Sequence, residues 1–265
     1  MRIALMDAGI GLLAAAAAVR RLRPDADLVL ASDPDGMPWG PRTPADITAR
    51  ALAVAEAAAA HHPDALIVAC NTATVHALPA LRARLEPGLP VIGTVPAIKP
   101  AAAGGGPVAV WATPATVGSP CQRGLIDRFA EGVRVTEVPC PGLSDAVEAA
   151  DGAAVGLAVT AAAELTPDDV RAVVLGCTHY ELVAGRIGAA VRRPGLPPPA
   201  LHGSAGAVAA QALRRIGARP APQAPAMGTL TVIRSGRAAE LPPAALAYGE
   251  GRLLQSTGAV LGGRP

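Results

Sequence analysis

"ALIVACNTAT" (residues 65–74) and "AVVLGCTHY" (172–180) share one local pattern. In each, four apolar residues lead through a small residue to a cysteine, and a helix-compatible stretch opened by Asn-Thr or Thr follows. A short, continuous apolar run reads as a strand buried on both faces, as in a parallel sheet covered by helices. Cys70 and Cys177 therefore stand where a strand hands over to a helix, once in each half of the chain. Two thiols placed alike point to a base or nucleophile on each face of one substrate. That is the geometry of a two-base proton transfer.

Outward from these stretches, strand-like and helix-like segments alternate. "RIALMD" (2–7) reads as a strand, 12–22 as a helix stopped before Pro24, and "DLVLASD" (27–33) as the next strand. Thr43-Pro44-Ala45-Asp46 opens a helix that runs to about His61, with Thr as cap and Pro at the first position. Pro79 predicts a break: a short turn of helix after Cys70 and a second helix starting at the proline. "LPVIGTV" (89–95) is strand-like, and the stretch Pro100–Pro107 separates it from "VAVWAT" (108–113). Further strands are expected at 133–138, 172–176 and 229–234, with helices between, one at about 204–216 and one at the end.

The alternation predicts an α/β protein of two similar doubly wound parallel-sheet domains facing each other across an active-site cleft. The expected division is 1–96 plus 205–265 for the first and 97–204 for the second. Asp7 and Cys70 lie 63 positions apart, and Thr113 and Cys177 lie 64 apart. Such like spacing suggests a duplicated unit, although regular spacing is common in α/β proteins.

The composition narrows the classes. Of 265 residues 51% are hydrophobic but only 2% aromatic, so the core must be Ala, Val, Leu and Ile. The apolar run 9–19 is too short to span a bilayer. Asp7 before it and Arg20-Arg21 after it give the wrong polarity for a secretory signal. A net charge of +2 without a basic run gives no reason to expect nucleic acid. Four cysteines with no CxxC suggest reduced thiols and a cytoplasmic protein. A Cys-x-His pair with a remote Cys is a poor zinc set, so no metal is expected. Lys99 is the only lysine, and its Pro-flanked setting offers no phosphate cradle for a pyridoxal cofactor.

A strand-end cysteine is most often only a small buried hydrophobe. Here backbone N–H groups of the following helix can stabilise a thiolate, and Asn71, Thr72, Thr74 and Thr178 can bind a carboxylate beside it. Asp7 allows two readings, a helix cap or a helper of Cys70. His179, Thr113 and Thr116 equally suit a site or an ordinary turn.

"CNTAT" and "GCTHY", with "DAGIG" (7–11), "PWGPR" (38–42) and "VPAIKPAA", resemble the cofactor-independent aspartate/glutamate racemase superfamily, over nearly the whole chain and in the same order. The resemblance implies that Cys70 takes the α-proton from a D-amino acid and Cys177 from the L-form. It implies that Asp7 and His179 assist them. Ala8, Trp39, Gly40, Asn71, Thr72, Thr113, Thr116 and Thr178 match positions around the substrate. It further implies an acidic amino acid as substrate, glutamate first, no cofactor, D-glutamate supplied to peptidoglycan, and a homodimer as a candidate assembly.

Four positions depart from the pattern. Ala8 replaces a serine, Leu12 a glycine, Trp39 a tyrosine and Gly203 an aspartate. Losing one hydrogen bond to a charged ligand costs roughly 1.5–3 kcal/mol, so specificity is less secure than chemistry. Aspartate as substrate, or a racemase-like binding or regulatory protein, stay open. So does a dinucleotide enzyme, because Gly9-x-Gly11-x-x-Ala14 follows a strand and Asp33 ends the next one.

Overall fold

The computed structural model describes residues 1–258. Positions 259–265, which close the expected first domain, lie outside the described residues. The chain forms two compact units, Met1–Thr94 with the segment from Ala205 onward, and Val95–Ser204.

The first unit opens with β1 (Arg2–Asp7), α1 (Leu12–Leu22), β2 (Asp27–Ser32), α2 (Pro44–Ala59), β3 (Ala65–Val68), α3 (Asn71–Leu85) and β4 (Val91–Gly93). The second contains α4 (Ile98–Ala103), β5 (Val108–Ala112), α5 (Pro120–Phe129), β6 (Val135–Pro139), α6 (Leu143–Glu148), α7 (Gly152–Glu164), β7 (Ala172–Leu175), α8 (Thr178–Glu181), α9 (Ala184–Ala190) and β8 (Ala200–His202). The chain then returns to the first unit with α10 (Ala205–Arg215), β9 (Leu230–Arg234), β10 (Arg237–Ala239), α11 (Pro243–Leu246) and α12 (Gly249–Gly258).

The first sheet has the order β10-β9-β2-β1-β3-β4 and the second β6-β5-β7-β8. All pairs are parallel except β10 with β9. Within each unit the first strand sits between the second and the third, so the winding reverses beside it. Ligands of doubly wound sheets bind at that reversal, outside the carboxyl ends of the strands. The chain thus carries two copies of one winding, each with a cysteine just past its third strand.

Packing follows from alternation along the strands. Ala4, Met6, Val29, Ala31, Leu66 and Val68 share a buried cluster with Ile47, Ala51, Ala55 and Ala58 of α2 and Ala73, Ala77 and Leu81 of α3. The alternate residues Ile3, Leu5, Leu28, Leu30 and Ile67 are also fully buried, with α1 and α10 packed on the sheet. Each such Leu or Ile contributes about 1.5–3 kcal/mol. Alanine at the facing helix positions replaces the missing aromatics by letting backbones approach. The cap expected at Thr43 forms, its Oγ1 accepting from Asp46 N–H at 3.3 Å.

Three expectations need correction. α3 runs unbroken through Pro79. The carbonyl that proline cannot serve belongs to Val75, an exposed residue within reach of water, while the buried Ala73–Ala77–Leu81 face keeps the helix packed against α2. The stretch from Pro100 is helical up to Ala103, because that proline lies in the first turn of α4, where its missing N–H has no partner to lose. Finally, β8 and the antiparallel β10 are short edge strands of three residues each, too brief to leave a periodic signal.

Register also corrects the matching of the two halves. Met6 pairs with Val68, and Trp111 with Leu175. Ala69 N–H then donates to Met6 O, and Gly176 N–H donates to Trp111 O. Counting from these bonds, the counterpart of Thr113 is Ala8, and that of Asp7 is Ala112. The near-equal spacing read from the sequence was one residue out of step.

Gly176 is where the second sheet is tightest. A Cβ there would lie 2.6 Å from Trp111 O, a backbone atom that cannot turn aside. Gly176→Ala should destabilise the protein by about 1–3 kcal/mol, read as a lowered urea midpoint, whereas the matching position in the first unit already holds an alanine, Ala69.

Candidate active site

In the first unit the site residues come from the ends of β1 and β3 and from the loop after β2. Asp7 closes β1 and is 1% exposed, its Oδ1 accepting the Ala8 N–H at 2.7 Å. It stands at the end of the strand that leads into α1, whose N-cap residue is Gly11. Cys70 caps α3 with an extended backbone (φ −146°, ψ 120°) and is 7% exposed. Asn71 and Thr72, both half-buried, form the first turn of that helix. The fifteen-residue α3 directs its first-turn N–H groups and the positive end of its dipole toward the sulfur's side of the sheet.

The loop after β2 is held from below. Asp33 is buried, and its carboxylate accepts from Trp39 Nε1 (3.1 Å), Arg50 (3.1 Å) and Ser235 Oγ (3.3 Å). Trp39 is therefore an internal strut, its indole packed in the same apolar cluster as Ala8 and Cys70. Gly40 beside it is exposed, as are Pro38 and Pro41. Asp33 is fully engaged with protein groups and is not placed as a ribose-binding acid, which removes the main support for a dinucleotide enzyme.

In the second unit Cys177 caps α8 with nearly the same backbone (φ −138°, ψ 138°) and is half-buried. Here the helix is a single turn, so its dipole offers the thiol little. A side-chain relay is present instead. Cys177 Sγ lies 3.8 Å from His179 Nδ1, and His179 Nε2 lies 2.9 Å from Glu148 Oε2. An ionised carboxylate only accepts, so the Nε2 proton is directed at Glu148 and Nδ1 is left to face the thiol. In that tautomer His179 can take the thiol proton and return it. Thr178 is buried beside it, and the Thr113 and Thr116 hydroxyls meet at 3.0 Å in the turn after β5. That turn is braced by Glu137, which accepts from Gly118 N–H (2.9 Å) and from the Gln122 amide.

Each half of the expected site is thus assembled locally: Asp7, Ala8, Gly40, Cys70, Asn71 and Thr72 in one unit, Thr113, Thr116, Cys177, Thr178 and His179 in the other. Trp39 contributes structure rather than an outward hydroxyl-like donor. Glu148 was not foreseen. It lies 31 residues before His179 in "DAVEAAD", with no motif around it, and only the packing of α6 against α8 brings the two together. Among the described residues no group of three or more His, Cys, Asp or Glu could hold a metal ion, and no helix is long and apolar enough to cross a membrane.

The fold and the sequence together define a racemase: a family model described as Asp/Glu/Hydantoin racemase matches residues 12–211, and the chain belongs to that family. Within it, the similarity is to proteins named glutamate racemase. The one from Pseudomonas putida (strain W619) is 38% identical over 226 residues, 82% of each chain. The one from Roseiflexus sp. (strain RS-1) is 40% identical over 192 residues, 70% of each. The crystal structure of Escherichia coli glutamate racemase, in complex with L-glutamate and the activator UDP-MurNAc-Ala, superposes with a TM-score of 0.80 at 28% identity, covering 97% of this chain and 95% of that one.

The other two cysteines differ from the candidate pair. Cys140 is buried, and desolvation pushes its thiol up to about 12; Tyr180, whose hydroxyl bonds Cys140 O, is likewise raised by burial. Cys121 is exposed. At pH 8 iodoacetamide should modify Cys121 well before Cys140, which stays unmodified in the native protein, as read by peptide mass spectrometry; early modification of Cys140 would contradict its placement.

Proposed function

We propose that the chain interconverts L- and D-glutamate by thiol-mediated proton transfer without a cofactor. The observation that carries this reading is the repeat of one station: a cysteine past the third strand of each unit, with matching backbone angles, beside His179 in the second unit. In this reading Cys70 acts on the D-enantiomer with Asp7 assisting, and Cys177 acts on the L-enantiomer with His179 assisting. One sulfur removes the α-proton while the other, protonated, delivers to the opposite face, so each turnover exchanges their roles.

Substrate binding falls to backbone N–H groups and short polar side chains. Asn71, Thr72 and Gly40 suit one carboxylate, and Thr113, Thr116 and Thr178 the remaining charged groups. Ala8 offers no hydroxyl here, so the first unit binds through backbone and amide alone at that position. D-Glutamate made in a cytoplasm would supply peptidoglycan, a setting in keeping with four cysteines that form no disulfide.

Incubation with L-glutamate in D2O without added cofactor should place deuterium at the α-carbon as the D-isomer appears. Exchange with aspartate and not glutamate would reassign the substrate; no exchange with any acidic amino acid would sink the reading in favour of a binding protein. Cys70→Ser and Cys177→Ser should each lower the racemisation rate by about 10²–10⁴-fold. Glu148→Gln, which leaves His179 without its charged partner, should cost about ten- to a hundredfold in kcat.

A further inference from the structure

The chain crosses between its units twice, after Thr94 and after Ser204. Both crossing residues are tied by their backbone N–H to a side chain four positions beyond one of the paired cysteines. Thr94 N–H donates to Thr74 Oγ1 at 3.1 Å. Ser204 N–H donates to Glu181 Oε1 at 2.8 Å, and Ser204 Oγ donates to the same oxygen at 2.8 Å.

The other ends of these ties lie on the thiol-bearing turns. Thr74 N–H returns to Cys70 O at 2.9 Å, so one residue bridges the cysteine and the crossing segment. Glu181 closes the single turn of α8, in which Tyr180 N–H bonds Cys177 O at 3.0 Å. Thr74, Thr94 and Ser204 are all buried, where water does not compete for these bonds. Strand topology does not dictate the repeat, since one acceptor is a hydroxyl and the other a carboxylate. Room for that carboxylate depends on Gly203: a Cβ there would run into Glu181 Oε2.

We propose that Thr74 and Glu181 are positioning residues for the two thiols, each coupling a connecting segment of the chain to the turn that carries one sulfur. The inference rests on the thiol-transfer reading above and extends it to residues that touch no reacting atom. Proton transfer from carbon is steep in distance, and a misplacement of about 1 Å can cost on the order of 10²-fold. A tie that fixes the turn fixes the sulfur's approach, and each tie governs only its own cysteine.

The test uses the full chain with Thr74→Val, Glu181→Ala and Gly203→Ala, and the conservative Thr74→Ser and Glu181→Gln, which keep an accepting oxygen. Enantiomers have equal free energy, so kcat/KM must fall equally in both directions, and the asymmetry must appear in α-deuterium isotope effects. Thr74→Val should raise the isotope effect with D-glutamate, where Cys70 abstracts, and lower it with L-glutamate. Glu181→Ala and Gly203→Ala should do the reverse, each with kcat down about tenfold or more, while the conservative variants behave as wild type. A lowered melting temperature with unchanged isotope effects would reduce both residues to structural parts and overturn the proposal.

Site-resolved alkylation by iodoacetamide gives a readout independent of glutamate. Each variant should change the labelling rate of its own cysteine alone; equal change at both, or at neither, overturns the proposal. If wild type fails to racemise glutamate, the functional reading falls, while alkylation still decides the positioning roles.

Discussion

In both units one hydrogen bond settles where the sulfur stands. Ala69 N–H reaches Met6 O at 2.8 Å, and Gly176 N–H reaches Trp111 O at 2.7 Å, each just past the last paired residues of the third strand. These bonds carry the sheet one residue further before the backbone turns into a helix. The next residue is then the helix cap, and it is a cysteine both times. A cap has extended backbone angles, so its side chain leaves the sheet at its carboxyl edge, where a doubly wound fold receives ligands. The surrounding apolar strands serve to hold that edge still.

The two copies of this arrangement have diverged in how they support the thiol. In the first unit Cys70 caps a fifteen-residue helix, and the buried Asp7 carboxylate stands at the end of β1, the strand beside β3. Its counterpart in the second unit, Ala112, carries no acid, and the short α8 offers little dipole. There the support comes from the His179–Glu148 pair, reached through packing between helices rather than along a strand. One backbone plan thus accommodates two electrostatic solutions, because the plan fixes only the cap and leaves neighbouring positions to change.

Much of this was legible in the chain. Continuous apolar runs such as "ALIV" and "AVVL" leave no ambiguity about strands buried on both faces, and Thr43-Pro44 marks its helix start through ordinary capping chemistry. The cysteine motifs located two like strand-to-helix turns, one in each unit. What stayed hidden depends on tertiary context. Pro79 breaks a helix only if packing lets it, and the face that α3 buries does not. Glu148 becomes a partner of His179 only once α6 meets α8, and no local pattern encodes that meeting. Asp33 looked like a ribose ligand in the linear pattern, yet Trp39, Arg50 and Ser235 converge on it from three separate segments. The one-residue slip in matching Asp7 to Thr113 has the same origin, since only strand register shows which positions correspond.

The glycine at position 203 has an evolutionary corollary. Its bare backbone makes space for the Glu181 carboxylate, and a Cβ added there would force that acid to shift. The two sites are thus epistatic: the residue acceptable at one depends on its occupant at the other. A side chain placed at 203 alone meets the Glu181 carboxylate, so such a substitution is easier to accept where the acid at 181 has been shortened or removed.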